Sequence, residues 1–261
     1  MNIKTNYKIL LILKSFFLCV AIIAVVVFWW QFTPPGLMGK AKAIGSSVCH
    51  QIPSHSFKVD EDVFPLCSRC TGMYLGNFIG LVILFIKGKK AGTPPLGIIL
   101  ILILFAILWA ADGIKSLVYD LNHVAFLYTP NNSIRLLTGL GMGLSMSSTL
   151  VVLFNMTMWA EYENKPTIET LPQFCILLVV ALFLAYLVLL QSGILLTVFA
   201  YITTGTVLAL LTLLYTVLWT LIFKQENSST KAIDLIPSLM TGFLTAMIQI
   251  TVFNLIRIAL Y

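Results

Sequence analysis

The 261 residues are 59% hydrophobic and only 10% charged, with a mean hydropathy of +0.98 and a formal net charge of +6. A soluble domain carries roughly half apolar and a quarter charged residues, so a water-soluble core is excluded. The positive balance does not indicate nucleic acid either, because the lysines and arginines stand at the edges of apolar runs and form no basic patch interleaved with aromatics; they are read as topology and headgroup contacts.

A hydrocarbon slab about 30 Å thick takes about 20 apolar residues per helical span. In chain order such runs occupy Ile9–Trp30, Gly72–Ile86, Leu96–Ala111, Ile134–Phe154, Phe174–Leu190, Ile194–Phe223 and Ile236–Ile258. They predict an all-α polytopic transmembrane helical bundle of about seven spans. The first run follows Lys4 and Lys8 as a signal peptide would, but its length and its Phe28-Trp29-Trp30 girdle favour an uncleaved anchor. The second and third runs are short, and the sixth is long enough to tilt.

Two connections are long. Phe32–Cys70 holds Pro34-Pro35 and three of the five cysteines, and Ile114–Ser133 holds Asp120, His123 and Pro130. Loops of that length beside a membrane tend to carry function. Residues 1–160 contain every candidate site residue, and 171–261 are apolar helices with few ionisable groups. Lysine bias puts Lys4, Lys8, Lys14 and Lys87–Lys90 on the cytoplasmic side of a plasma membrane, and therefore both long loops outside. Lys40, Lys42, Lys58 and Lys115 count against that orientation.

The sharpest pattern is Cys49-His50 followed by Cys67-Ser68-Arg69-Cys70. Zinc takes four tetrahedral ligands from thiolates and imidazoles, and a CxxC spacing lets two sulfurs reach one ion from a single turn. A Cys3His zinc site of Cys49, His50, Cys67 and Cys70 meets that requirement, either as a structural staple or beside a reacting group. A competing reading is a thiol–disulfide pair, Cys67 and Cys70, activated at the N-terminus of the second span and by Arg69. Cys19 and Cys175 lie within apolar spans and are expected to be buried small hydrophobes.

The segments CHQIPSHSF at Cys49–Phe57, PLCSRCTGMYLG at Pro65–Gly76, Asp112-Gly113 and NSIRLLTG at Asn132–Gly139 resemble a family of small prokaryotic membrane proteins catalogued as a domain of unknown function. That family's pattern runs CHQxPxRSF, PxCxRCTGxYLG, DG, NxxRxxTG. The resemblance spans about Val48 to Gly143. It implies a membrane domain with the cysteine/histidine set at its heart, and no activity. His55 stands where the family has arginine, which would make a cationic contact there pH-dependent.

Ionisable groups at the ends of apolar spans are expensive unless paired or solvated. Arg69 is expected to begin the second span, Asp112 to end the third and Arg135 to begin the fourth, bringing them with Asn132 to the face of the cysteines. They form either an ion pair between helices or a receptor for a phosphate or carboxylate, such as an anionic lipid or lipid-linked substrate. Three functions therefore stay open: a protein handling such a lipid beside a zinc ion, a membrane thiol–disulfide oxidoreductase, and a non-enzymatic binding or transport module with structural zinc. His123 and Asp120 are weaker candidates, and Arg257 is expected to reach the outer headgroups.

Overall fold

A computed structural model describes the backbone of residues 3–59, 62–122 and 128–260, and the side chains of 15–58, 63–122 and 128–260. His123 lies outside the described residues. The chain is an all-α polytopic bundle of α1 (Ile3–Phe32), α2 (Gly36–Ser46), α3 (Ser68–Ile86), α4 (Leu96–Asn122), α5 (Asn132–Met158), α6 (Leu171–Leu189), α7 (Gly193–Ile222) and α8 (Ile236–Leu260). All but α2 are long and apolar enough to cross a membrane, seven among the described residues, as expected.

The centre of the bundle is the pair α3 and α5, whose residues are mostly buried. Their contact depends on small side chains. A Cβ on Gly72, Gly76, Gly139 or Gly143 would overlap the main-chain carbonyl of Leu136, Leu140, Arg69 or Met73 respectively. Without water to drive helices together, this close approach is how dispersion contacts hold them. Leu75, Leu136, Leu140 and Leu144 fill the space around the crossing and are almost wholly buried. Helix α7 closes the other side, its threonines bonding back to their own helix, as in Thr203 Oγ1 to the Phe199 carbonyl at 2.7 Å. Helices α1, α4, α6 and α8 form the rim, with large apolar side chains such as Ile103, Ile107, Val179, Phe183 and Phe253 turned outward as a lipid-facing surface requires.

The first long connection contains α2, a single 3-10 turn at Pro53–His55 and an antiparallel hairpin of β1 (Ser56–Val59) and β2 (Asp62–Cys67). The third span does not stop at Ala111: α4 runs on to Asn122, so Asp112 lies inside a helix and not at its end. Asp112-Gly113 looks like a break, yet Ile114, Leu117, Val118 and Leu121 continue the apolar face, and Asp112 is neutralised where it stands.

At the opposite face, β3 (Lys90–Gly92) pairs in parallel with β4 (Glu163–Pro166), and Trp159 bridges to Ser229. Lys89 Nζ lies 3.8 Å from the Trp159 ring centroid and donates to the Thr230 carbonyl at 3.1 Å. This cap ties three turns into one unit. Cys19 and Cys175 are exposed on the rim helices, contrary to their expected burial; a thiol is apolar enough to face lipid.

Candidate metal centre and polar network

The hairpin delivers Cys67 directly to the start of α3, where its extended backbone (φ −65°, ψ 158°) makes it the cap residue and puts Cys70 in the first turn. Cys49 arrives from the turn after α2. That turn is fixed by Gln51, whose left-handed backbone (φ 56°) reverses the chain and whose side-chain amide donates to the carbonyls of Lys42 at 2.8 Å and Pro65 at 2.7 Å. Left-handed backbone is costly for a side-chain-bearing residue, and the two bonds hold it in place. Gly45 lets α2 touch β2, since a Cβ there would overlap the Pro65 carbonyl.

The outcome is a group of three sulfurs, those of Cys49, Cys67 and Cys70, all within 4.8 Å of one another. All three cysteines are free, and Cys49 is only 7% exposed. The main-chain N–H groups of Gln51 and Cys67 donate to Cys49 Sγ at 3.4 and 3.2 Å. The fourth expected donor does not join them. His50 is exposed, because Cys49 turns inward and the next residue in the turn then points to solvent; its ring lies outside the group of sulfurs, and its carbonyl accepts from Arg257.

Sulfurs this close share charge unequally. Hydrogen bonds from the thiols of Cys49 and Cys70 bring the Cys67 thiol down to about 2, helped by the Arg69 charge. The same bond, seen from Cys49, pushes that thiol up to about 11, and burial adds to the rise. Ser68 Oγ, fully buried beside Cys67, has no hydrogen-bond partner among the described residues.

Arg69 turns from the cysteines toward α4. Its Nε and Nη2 donate to Asp112 Oδ2 at 2.9 and 2.5 Å, and Nη2 also reaches the Asp112 carbonyl at 3.0 Å and Ser116 Oγ at 2.8 Å. Tyr128 OH donates to Asp112 Oδ1 at 2.8 Å, and the Thr138 hydroxyl approaches Oδ2 at 3.4 Å. Burial, and then the bond to Asp112, raise the Tyr128 phenol. Asp112, 2% exposed, is thus saturated.

Arg135 is different. Although 4% exposed, it donates only to neutral groups, Ser116 Oγ at 3.4 Å and Asn132 Oδ1 at 3.1 Å, and no carboxylate lies within ion-pair distance among the described residues. Asn132 in turn reaches the Ser56 carbonyl at 3.5 Å, linking α5 to the hairpin. His55 Nε2 is 3.3 Å from Asp120 Oδ1, which joins the same loop to α4.

Ser116 and Tyr128 were not singled out from the sequence, Gln51 and Thr138 stood within the resembling motifs without a role of their own, and Arg257 was expected only at the headgroups. Ser116 had a signal, standing one helical turn after Asp112; it was hidden by ending the span too early. Arg257 donates to the carbonyls of Ser46, Cys49 and His50 at 3.3 to 3.5 Å, which ties α8 to the cysteine turn in addition to any headgroup contact.

Residues 49–149 match the family described as "Predicted membrane protein (DUF2085)". An "Uncharacterized protein" of Methanothermobacter thermautotrophicus is 32% identical over 108 residues, 41% of this chain and 86% of that protein. "Uncharacterized protein MJ1492" of Methanocaldococcus jannaschii is 28% identical over 122 residues, 46% of this chain and 72% of that one. No solved structure matches the chain. The matched stretch runs from Cys49 through α3 and α4 into α5, the segments that build the sulfur group and the arginine network, and on this ground the chain belongs to the predicted membrane protein family DUF2085.

Proposed function

We propose that Cys49, Cys67 and Cys70 hold one metal ion, zinc, at the outer face of the plasma membrane, and that Arg135 and its neighbours receive an anionic lipid or lipid-linked substrate beside it. The convergence of three sulfurs, with two main-chain N–H groups directed at one of them, carries the reading. These donors favour the Cys49 thiolate that a metal ion requires, against the rise that the neighbouring thiols and burial impose on it. Zinc suits such a set, and its fourth position falls to His50, brought inward, or to a group on the ligand.

Charge supports the same reading. A buried cation with neutral partners is costly until an anion joins it, which favours Arg135 as the receptor for a phosphate or carboxylate. Arg69 has its guanidinium committed to Asp112 and serves to fix α3 against α4.

The low-lying Cys67 thiol favours a second reading, thiol–disulfide exchange by Cys67 and Cys70. Substitution separates the two. Cys49→Ser, Cys67→Ser and Cys70→Ser should each abolish metal retention by the purified chain, whereas Cys19→Ser and Cys175→Ser should keep it. Unchanged metal content in all three site variants, or a metal-free Cys67–Cys70 disulfide in the parent protein, would end the metal reading.

A further inference from the structure

The seam between α7 and α8 carries a polar ladder. Tyr215 OH donates to Gln249 Oε1 at 2.7 Å, and one helical turn away Trp219 Nε1 donates to Thr245 Oγ1 at 2.9 Å. The two helices run antiparallel and in close contact, because Gly242 admits the Thr212 carbonyl and the Thr216 hydroxyl where a Cβ would overlap both. The seam is therefore a fixed surface.

Most polar groups along it are already satisfied. Thr241 and Thr245 donate back to the carbonyls of Pro237 and Thr241, both at 2.9 Å, and the Trp219 indole N–H is used. Gln249 is the exception. Its oxygen accepts from Tyr215, but Nε2 has no acceptor among the described residues, and the side chain is half-buried, not sealed inside the bundle. Turning the amide over would only leave the oxygen without a donor in place of the nitrogen without an acceptor. Asn77 also has an unpartnered amide oxygen, yet it is wholly enclosed, where no second molecule can reach it.

Depth decides what can meet Gln249. It stands one residue past the middle of α8, a helix long and apolar enough to cross the membrane. Water and headgroup oxygens lie at the edges of a hydrocarbon slab about 30 Å thick, and an amide N–H left among acyl chains is strongly unfavourable. The acceptor available at that depth is a group on another transmembrane helix. The surroundings suit one: Leu214, Leu218 and Ile222 of α7 and Ile248, Val252 and Ile256 of α8 are exposed apolar side chains that a packed helix would cover.

We propose that α7 and α8 form a two-fold interface with a second copy of this chain, the Gln249 amides of the two protomers hydrogen-bonded to each other. A primary amide is self-complementary. Nε2 of one protomer donates to Oε1 of the other, and each Oε1 keeps its second lone pair for its own Tyr215. An isologous contact requires that self-complementarity, and a lone unpaired amide in apolar surroundings supplies it. None of the residues proposed to hold the metal or the anion takes part, so the interface stands independently of both.

The test uses the full chain. Native mass spectrometry over a range of protein concentrations in mild detergent should show monomer and dimer in equilibrium. Gln249→Leu, which replaces the amide by an apolar group of similar size, should weaken dimerisation about tenfold without lowering the melting temperature of the dilute monomer. In liposomes, Val252→Cys in a Cys19→Ser, Cys175→Ser background should give a disulfide-linked dimer on mild oxidation, whereas Ile103→Cys, on the lipid-facing side of α4, should not. If Gln249→Leu fails to fold, the cross-linking decides alone. Protein that stays monomeric at every concentration and does not cross-link through position 252 would overturn the proposal. So would a folded Gln249→Leu protein that dimerises as tightly as the parent, or equal cross-linking from positions 252 and 103.

Discussion

Arg69 and Asp112, 43 residues apart in the chain, meet with two guanidinium nitrogens on one carboxylate oxygen, inside the bundle and one residue away from Cys70. Breaking a buried pair leaves one charge uncompensated, a loss of roughly 3–5 kcal/mol, whereas replacing both partners by apolar groups is nearly neutral. Asp112→Ala should therefore lower stability by about that amount, and an Arg69→Met, Asp112→Leu double variant should recover much of it. Thermal unfolding in detergent measures both. A double-variant loss equal to the Arg69→Met and Asp112→Leu losses added together would show that the charges act separately.

Gly139 sets the distance between α3 and α5 where the site is assembled, because a Cβ there would run into the Arg69 carbonyl. Gly139→Ala should cost about 1–3 kcal/mol through overpacking and should weaken metal retention by shifting Arg69 and Cys70. Gly205 has nothing within 4 Å of its notional Cβ and lies inside α7. Gly205→Ala should be neutral, or stabilising by up to about 1 kcal/mol. If the two alanines behave alike, close packing is not what holds the pair together.

Arg135 is expected to read a ligand and not the ion. Arg135→Ala should weaken binding of a phosphate-bearing lipid about tenfold or more and leave metal content unchanged, while Arg135→Lys should rescue it only in part, since an ammonium lacks the planar fork. Equilibrium binding of a fluorescent anionic lipid, with metal content measured on the same samples, gives both readouts. Normal lipid binding by a stable Arg135→Ala protein would remove the anion site.

At the opposite face the Lys90–Glu169 contact, 2.5 Å long, links β3 to the turn before α6. The hydrogen bond to Lys90 and its charge hold Glu169 below its ordinary value of 4.5, and the same bond raises Lys90 above 10.5. The Glu169 share of the link is thus present above about pH 4.5 and lost as pH falls through the lowered value. The Lys90 share is present below 10.5 and lost as pH rises through the raised one. The protection of the Glu163 and Thr167 amides, which bond the Lys89 and Gly92 carbonyls, measured as hydrogen exchange relative to the intrinsic rate at each pH, should fall on acidification in the parent protein and change less in Glu169→Gln. The same acid response in Glu169→Gln would contradict the link.

The helices were legible because hydrocarbon imposes apolar runs of a fixed minimum length, and Leu96 onward or Gly193 onward could hardly be read otherwise. The site residues were legible by type, since cysteine and arginine at span ends are rare enough to be noticed. What the sequence concealed is pairing. Asp112 looked like a helix end because its charge argues against a continued span; only Arg69, from another helix, makes the continuation affordable. His50 looked like a ligand by adjacency to Cys49, yet adjacency in a tight turn sends neighbouring side chains in different directions. Arg257 lies more than 200 residues from the turn it holds, and no local pattern signals that contact.

The central claim, a metal ion on Cys49, Cys67 and Cys70, is tested most directly by elemental analysis of the purified full chain, with thiols titrated before and after chelation. The account predicts close to one zinc per chain, with these three thiols protected from alkylation while the ion is bound and reactive once it is removed. Protein that carries no metal when prepared without chelator, takes up none when zinc is supplied, and leaves the three thiols equally reactive throughout would contradict it.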